Sequence, residues 1–287
     1  MELAGLLREY AQVMGTVILI TLALYPFELA FPIQQNQPLS KRVSNLVYAV
    51  AFFAIVVFIL HPIFRWTVPH VLTAVRGGLI AQLGIQGSGI LYQVSFAIVF
   101  AVVWDVLIYG VHRLQHVVPW LWDTHRFHHS DSSVNSTTQT RQHVIQYVLV
   151  MITYVPLLII FGAQTPHYIA IFVIFRFWGF LTHANVRLNL GLLTPVIAGP
   201  QWHRIHHSAD RIHYDRNFAV FFPFIDIAFG TYYRPQKGEY PACGLPPEEA
   251  MPELKEATVA PFAYWYKAIA RRFRRPAAEL VQQKVES

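Results

Sequence analysis

A single cysteine, Cys243, in 287 residues excludes an internal disulfide, a four-thiolate zinc site and a self-contained iron–sulfur cluster. Charge is equally scarce. Asp, Glu, Lys and Arg make up 13% of the chain, about half the usual share, while 54% is hydrophobic and mean hydropathy is +0.37. That balance excludes a soluble globular enzyme as the default reading. Sixteen acidic against 22 basic residues leave +6, which in a membrane chain is read as orientation, and no nucleic-acid module accompanies it. There is no His-Glu-x-x-His, no Glu-x-x-His and no flavin or nicotinamide fingerprint, so a zinc protease, a carboxylate di-iron bundle and a built-in redox cofactor are all set aside. Internal repeats are also missing.

What is present is a series of long apolar runs: Tyr10 to Phe27, Leu46 to Phe64, Ile90 to Gly110, and two shorter ones, Val144 to Phe161 and Thr165 to Leu181. The first has no basic leader region and is read as a retained span. The last two flank Gly162, Ala163 and Gln164 and suit a tight helical hairpin. The expected fold is all-α, a polytopic membrane bundle of about 4–5 spans with a cytoplasmic histidine-rich helical cap. Three parts are expected: N-terminal spans over 1–89, a histidine-rich core over 90–233, and a Pro-rich wrap with a basic tail over 234–287. Two crossings between 144 and 181 return the chain to the side it left after Gly110, so every histidine cluster lies at one membrane face. Arg113, Arg126, Arg141, Arg187, Arg204, Arg211 and Arg216 make that face cytoplasmic and the N-terminus outward; Lys41 and Arg42 agree, Arg65 and Arg76 do not.

Fourteen histidines are the anomaly, and nine gather in a pattern. His112 and His116 follow the third run; His125, His128 and His129 come nine residues later; His203, His206 and His207 repeat the HxxHH spacing; His183 lies just past the end of the fifth run. Positions i, i+3 and i+4 share a helical face, so each cluster is expected to aim its imidazoles at a common point. Chance supplies two HxxHH strings in such a chain with a probability on the order of one in a thousand. Nine ligands are too many for one ion and imply two. Imidazole alone does not choose among zinc, copper, iron and nickel, and a bis-histidine haem leaves seven of the nine unused. A metal transporter would place its ligands at mid-membrane, whereas these sit at span ends. His61, His70 and His167 read as interfacial residues unconnected with metal.

The series resembles the fatty acid hydroxylase (sterol desaturase) superfamily of histidine-rich membrane di-iron oxygenases. The resemblance rests on HRFHHSDSSVNSTTQTRQH (125–143), THANVRL (182–188) and HRIHHSADRIHYDRNFA (203–219), with weaker likeness at 229–232 and 244–246, and covers roughly residues 90 to 265. Ala219 stands where glycine is usual, and Pro223-Phe224-Ile225-Asp226 lacks the usual tryptophan. The resemblance implies two iron ions, O2 as co-substrate and oxidation of an unactivated C–H bond of a lipid, by hydroxylation or, alternatively, desaturation. It implies the nine histidines as metal ligands, with His143 a tenth candidate and Asn185, Asn217, His213 and Asp105 as further ligands or supporting partners. Electrons then come from a separate ferredoxin- or cytochrome-type donor fed by NAD(P)H, for which Arg113, Arg126, Arg204 and Arg211 offer a docking face.

Two charges lie inside apolar runs. Asp105 precedes His112 by seven residues and Arg176 precedes His183 by seven, which puts both about 10 Å beneath the histidines at one depth. Since intramembrane charges usually pair, an Asp105–Arg176 ion pair is expected.

Overall fold

The computed structural model describes residues 2–75, 78–85, 87–162 and 165–246 and six positions between 261 and 270. The expected basic tail at 271–275, half of the Pro-rich wrap (247–260), Arg76, the Ala163-Gln164 turn and the His167 side chain lie outside them. Among the described residues the chain is helical, with no strand beyond the isolated bridges Pro32–Val186 and Ser208–Cys243.

Four helical stretches, Leu3–Ala30, Leu39–Gln82, Ile90–Val117 and Val144–Phe161, are long and apolar enough to cross a membrane, and Ile169–His183 is a shorter apolar one. Their outward faces carry exposed Leu19, Leu22, Ile98 and Val173, a surface that only lipid solvates cheaply. This is an integral membrane protein.

Helix α1 (Leu3–Ala30) is followed by α2 (Leu39–Ile55), a π turn (Val56–Leu60) and α3 (His61–Ala74) in one continuous rod. The apolar run ends near Phe64, which would put Arg65 in a loop, but the helix goes on to Ala74. Pro62 supplies no N–H to the preceding turn and its ring crowds it, and the π turn just before it is the register change that relieves the clash. Arg65 is tolerated because it pairs with Glu9 across the bundle at 2.6 Å. A short α4 (Leu79–Gln82) leads to α5 (Ile90–Val117) and α6 (Pro119–His129). After a 3-10 turn at Ser136–Thr140 come α7 (Val144–Phe161), α8 (Thr165–His183), the seven-residue α9 (Pro200–His206) and α10 (Phe224–Phe229). α10 stops at Gly230, whose φ of 74° is the left-handed cap conformation glycine adopts without cost.

The ends of α1, α5 and α8 and the starts of α2 and α7 meet at one pole of the bundle. Glu28 at the end of α1 accepts from Arg42 at the start of α2 and from the backbone N–H groups of Ser136 and Asn185. Asn45 donates to Asp131, and Arg141 donates to Asn45, Ser130 and the Phe127 carbonyl. Three aromatic cores support this pole, one around Phe52, Phe127 and Phe180, one around Phe100, Trp104 and Phe175, and one around Trp202 and Phe218.

Candidate metal centre

The nine histidines of the sequence pattern come together at this pole as two groups. His112, His116, His125, His129 and His206 each offer a ring nitrogen within 4.8 Å of the others, and His128, His183, His203 and His207 do the same. The expectation that each cluster serves one point is corrected here. In each HxxHH string the i, i+4 pair (His125 and His129; His203 and His207) enters one group, and the middle histidine (His128; His206) enters the other. Positions i and i+4 lie about 40° apart around a helix, whereas i+3 falls about 60° to the other side of i, so one turn feeds both groups. Rings of the two groups therefore abut, as with His129 stacked on His207 at 4.4 Å.

Four of the rings are fixed by backbone carbonyls that can only accept: His112 Nδ1 donates to Phe218, His128 Nδ1 to Arg141, His183 Nδ1 to Gly179 and His206 Nδ1 to Arg216, at 2.6–3.2 Å. Each is left with a bare Nε2 lone pair facing inward. His128 and His183 then hold two bare lone pairs 3.0 Å apart, and His183 Nε2 sits 3.0 Å from that of His203 and 3.1 Å from that of His207. Facing lone pairs at that distance repel unless a cation lies between them. Nitrogens about 2.1 Å from a common centre and at right angles would be about 3.0 Å apart. In the other group His125 Nε2 is 3.1 Å from that of His112 and 3.2 Å from that of His129, while the buried Nε2 atoms of His116 and His206 have no protein partner. Burial also pushes His125, His128, His129, His203, His206 and His207 well below the ordinary imidazole value, keeping them in the neutral, ligating form. The donor set fits metal ions in both groups.

Other expected participants stand elsewhere. His143 caps α7, its Nδ1 accepting from the Ile145 N–H at 3.2 Å, and it joins neither group. His213 bonds Ser208 and Glu239. Asn185 exchanges two hydrogen bonds with the Gln34 backbone. Asn217, at φ 63°, ties the carbonyls of Trp202 and Tyr233 together. The expected Asp105–Arg176 pair is not formed: Asp105 accepts from the backbone N–H groups of Val220, Phe221 and Phe222 at 2.7–3.0 Å. Asp226 takes the two preceding amides, those of Phe218 and Ala219. Two buried carboxylates thus hold five consecutive N–H groups, and the segment they pin carries the Phe218 carbonyl that orients His112. Arg204 is buried and bonded to the Pro241 carbonyl, so it leaves the expected docking face. The sequence reading missed Glu28, Gln146, which bonds His125 Nδ1 at 2.9 Å, and the role of Arg42; a charge at the end of an apolar run was the available signal for Glu28. Burial pushes the Cys243 thiol up to about 11, leaving it inert.

The histidines separate two cavities. A cavity of about 520 Å³ reaches His112, His125, His128, His183 and His203 and is walled by Phe52, Trp104, Ile108, Tyr154, Phe172 and Phe180. It extends to Ile169 and Val173, which are exposed on the bundle's outer face. A smaller one, about 190 Å³, reaches His116, His129 and His206 from the loop side, beside Tyr214 and Asp215.

The fold and these two groups define a class: a helical membrane metalloprotein with an all-imidazole centre at the foot of an apolar cavity. Residues 97–231, just under half of the chain, match the family model described as fatty acid hydroxylase, and the chain is similar to proteins of that superfamily. It is 34% identical over 125 residues to alkylglycerol monooxygenase of Homo sapiens, which covers 43% of this chain and 27% of that protein. It is 30% identical over 147 residues to ornithine lipid hydroxylase OlsE of Rhizobium tropici, covering 51% and 43%. With Delta(7)-sterol 5(6)-desaturase ERG3A of Gibberella zeae it shares 27% over 173 residues, covering 60% and 47%. The matched region thus spans less than half the length of each of these relatives. No solved structure matches the chain.

Proposed function

We propose that this protein is an O2-dependent oxygenase that hydroxylates an unactivated C–H bond of a membrane lipid at two iron ions held by the nine histidines. The observation that carries the reading is the junction of two buried imidazole groups with an apolar cavity whose far wall reaches the lipid-facing surface. When bound, the irons supply the redox chemistry that activates O2. The chain's own residues do the rest. Carbonyl-anchored Nδ1–H groups hold the imidazoles in one tautomer and orientation. The aromatic wall excludes water and confines a hydrocarbon chain against the histidines. Five histidines serve one ion (His112, His116, His125, His129, His206) and four the other (His128, His183, His203, His207).

Electrons arrive from a separate ferredoxin- or cytochrome-type donor, itself NAD(P)H-fed, docking on the loop side where the smaller cavity reaches His116, His129 and His206. Arg113, Arg126 and Arg211 are the basic residues proposed to meet an acidic partner. The arginine-rich pole is taken to face the cytoplasm of a bacterial inner membrane on the positive-inside argument. Likeness to the sterol desaturase favours one second reading, desaturation at the same site.

The test is iron quantitation with lipid mass comparison. Iron-loaded membranes given O2 and a reductase–ferredoxin pair should yield a lipid heavier by one oxygen; loss of two hydrogens instead selects desaturation. Alanine at His125, His128, His203 or His207 should abolish product and lower bound iron, and full activity in two of the four rejects the assignment.

A further inference from the structure

The apolar cavity contains a charge that no carboxylate among the described residues pairs with. Arg176 lies in its wall, seven residues and so about 10 Å along α8 from His183. Its Nε and Nη2 are buried and make no hydrogen bond. Its one described close contact is the Phe53 ring, whose centroid is 5.2 Å from the guanidinium carbon, and the nearby phenols of Tyr147 and Tyr154 feel its charge.

Among the described residues, the carboxylates of Asp105 and Glu9 are engaged elsewhere. Asp105 is occupied by three backbone amides. Glu9 bonds His61 Nδ1 at 2.7 Å and Arg65 at 2.6 Å, and His61 Nε2 in turn bonds the Tyr147 hydroxyl at 2.7 Å. The rings of the metal groups are neutral or cationic neighbours, never counter-ions. A guanidinium at this depth normally faces the bundle interior and pairs. It also presents a fork of N–H donors that matches a carboxylate or a phosphate. Arg176 faces the interior and lacks the partner, and the space beside it is lined for a hydrocarbon tail.

We propose that Arg176 binds the oxyanion of an anionic lipid, a carboxylate or a phosphate monoester, and so makes this cavity selective for charged single-chain lipids over neutral ones of the same length. The proposal rests on reading the cavity as the substrate site and adds the headgroup chemistry to it. Tyr147, held in place by the Glu9–His61 relay, is the polar neighbour that completes the subsite.

Equilibrium binding to purified metal-free protein in a neutral detergent tests this without turnover, using radiolabelled palmitate, palmitoyl lysophosphatidate and palmityl alcohol as probes. Wild type should bind at least one oxyanion some tenfold more tightly than the alcohol, and the tighter of the two identifies the headgroup. Arg176→Gln should erase the difference while leaving alcohol binding unchanged, and Arg176→Lys should keep part of it. Equal affinity of wild type for all three probes, or an oxyanion preference that survives in Arg176→Gln, overturns the proposal. Should Arg176→Gln fail to fold, wild type and Arg176→Lys still decide it. Oxyanion selectivity in a protein that oxidises no lipid would leave the subsite standing and reject the oxygenase reading instead.

Discussion

A neutral imidazole offers a metal one lone pair, and its other nitrogen must be held if that lone pair is to point anywhere in particular. Backbone carbonyls do this for His112, His128, His183 and His206, so the precision of the centre depends on where those carbonyls sit. For His112 the chain of support is explicit: Asp105 and Asp226 fix the amides of residues 218–222, and Phe218 fixes the ring. Asp105→Asn replaces a double acceptor with one acceptor and one donor, leaving at least one buried N–H unmet. With hydrogen bonds to a buried carboxylate contributing about 1.5–3 kcal/mol each, the loss should be on the order of 3 kcal/mol. Denaturant unfolding in detergent measures it, and a change below about 1 kcal/mol would mean that the segment is held by packing alone.

At the scale of elements, the histidine pole is assembled from helices that meet end to end, and their junction is polar. Glu28 joins the end of α1 to the start of α2 through Arg42, to the 3-10 turn through Ser136 and to the strand-like exit of α8 through Asn185. Breaking a buried pair by removing one partner strands the other charge, at about 3–5 kcal/mol. Glu28→Gln and Arg42→Met should each destabilise by that order, and the double variant by clearly less than their sum. Because Asn185 is two residues beyond His183, Glu28→Gln should also lower bound metal more than Arg42→Met does. Additive losses in a double-mutant cycle would show that the two side chains act independently.

For the molecule as a whole, neutral buried rings make stability depend on pH in a definite direction. Six histidines outside the spans sit well below their ordinary value in the folded, metal-free state because of burial, whereas in the unfolded chain they take up protons near 6.5. Below pH 6.5 the unfolded state binds more protons, so stability is present above that pH and falls as pH drops towards the folded values. Each such ring contributes about 1.4 kcal/mol per pH unit. Metal-free protein should therefore lose thermal stability steeply between pH 7 and 5, and bound metal should shift the acid limit lower. Scanning fluorimetry with and without iron checks this; a flat metal-free profile would contradict neutral, buried rings.

How much of this was legible in the sequence follows from the range of each interaction. Apolar runs near bilayer length and HxxHH spacing are local patterns, so the helical membrane bundle, the common pole and the nine histidines could be read from the chain alone. The division of those nine between two groups depends on how α5, α6, α8 and α9 approach one another. Spacing along a single helix carries no information about that. The fate of lone charges was equally beyond local reading: Asp105 and Arg176 share a depth, yet a segment more than a hundred residues along the chain from Asp105 offers its carboxylate three amides, a better partner than one guanidinium. Tertiary structure decided those pairings because a buried charge takes whichever partner satisfies it most fully, and only packing sets which partners come within reach.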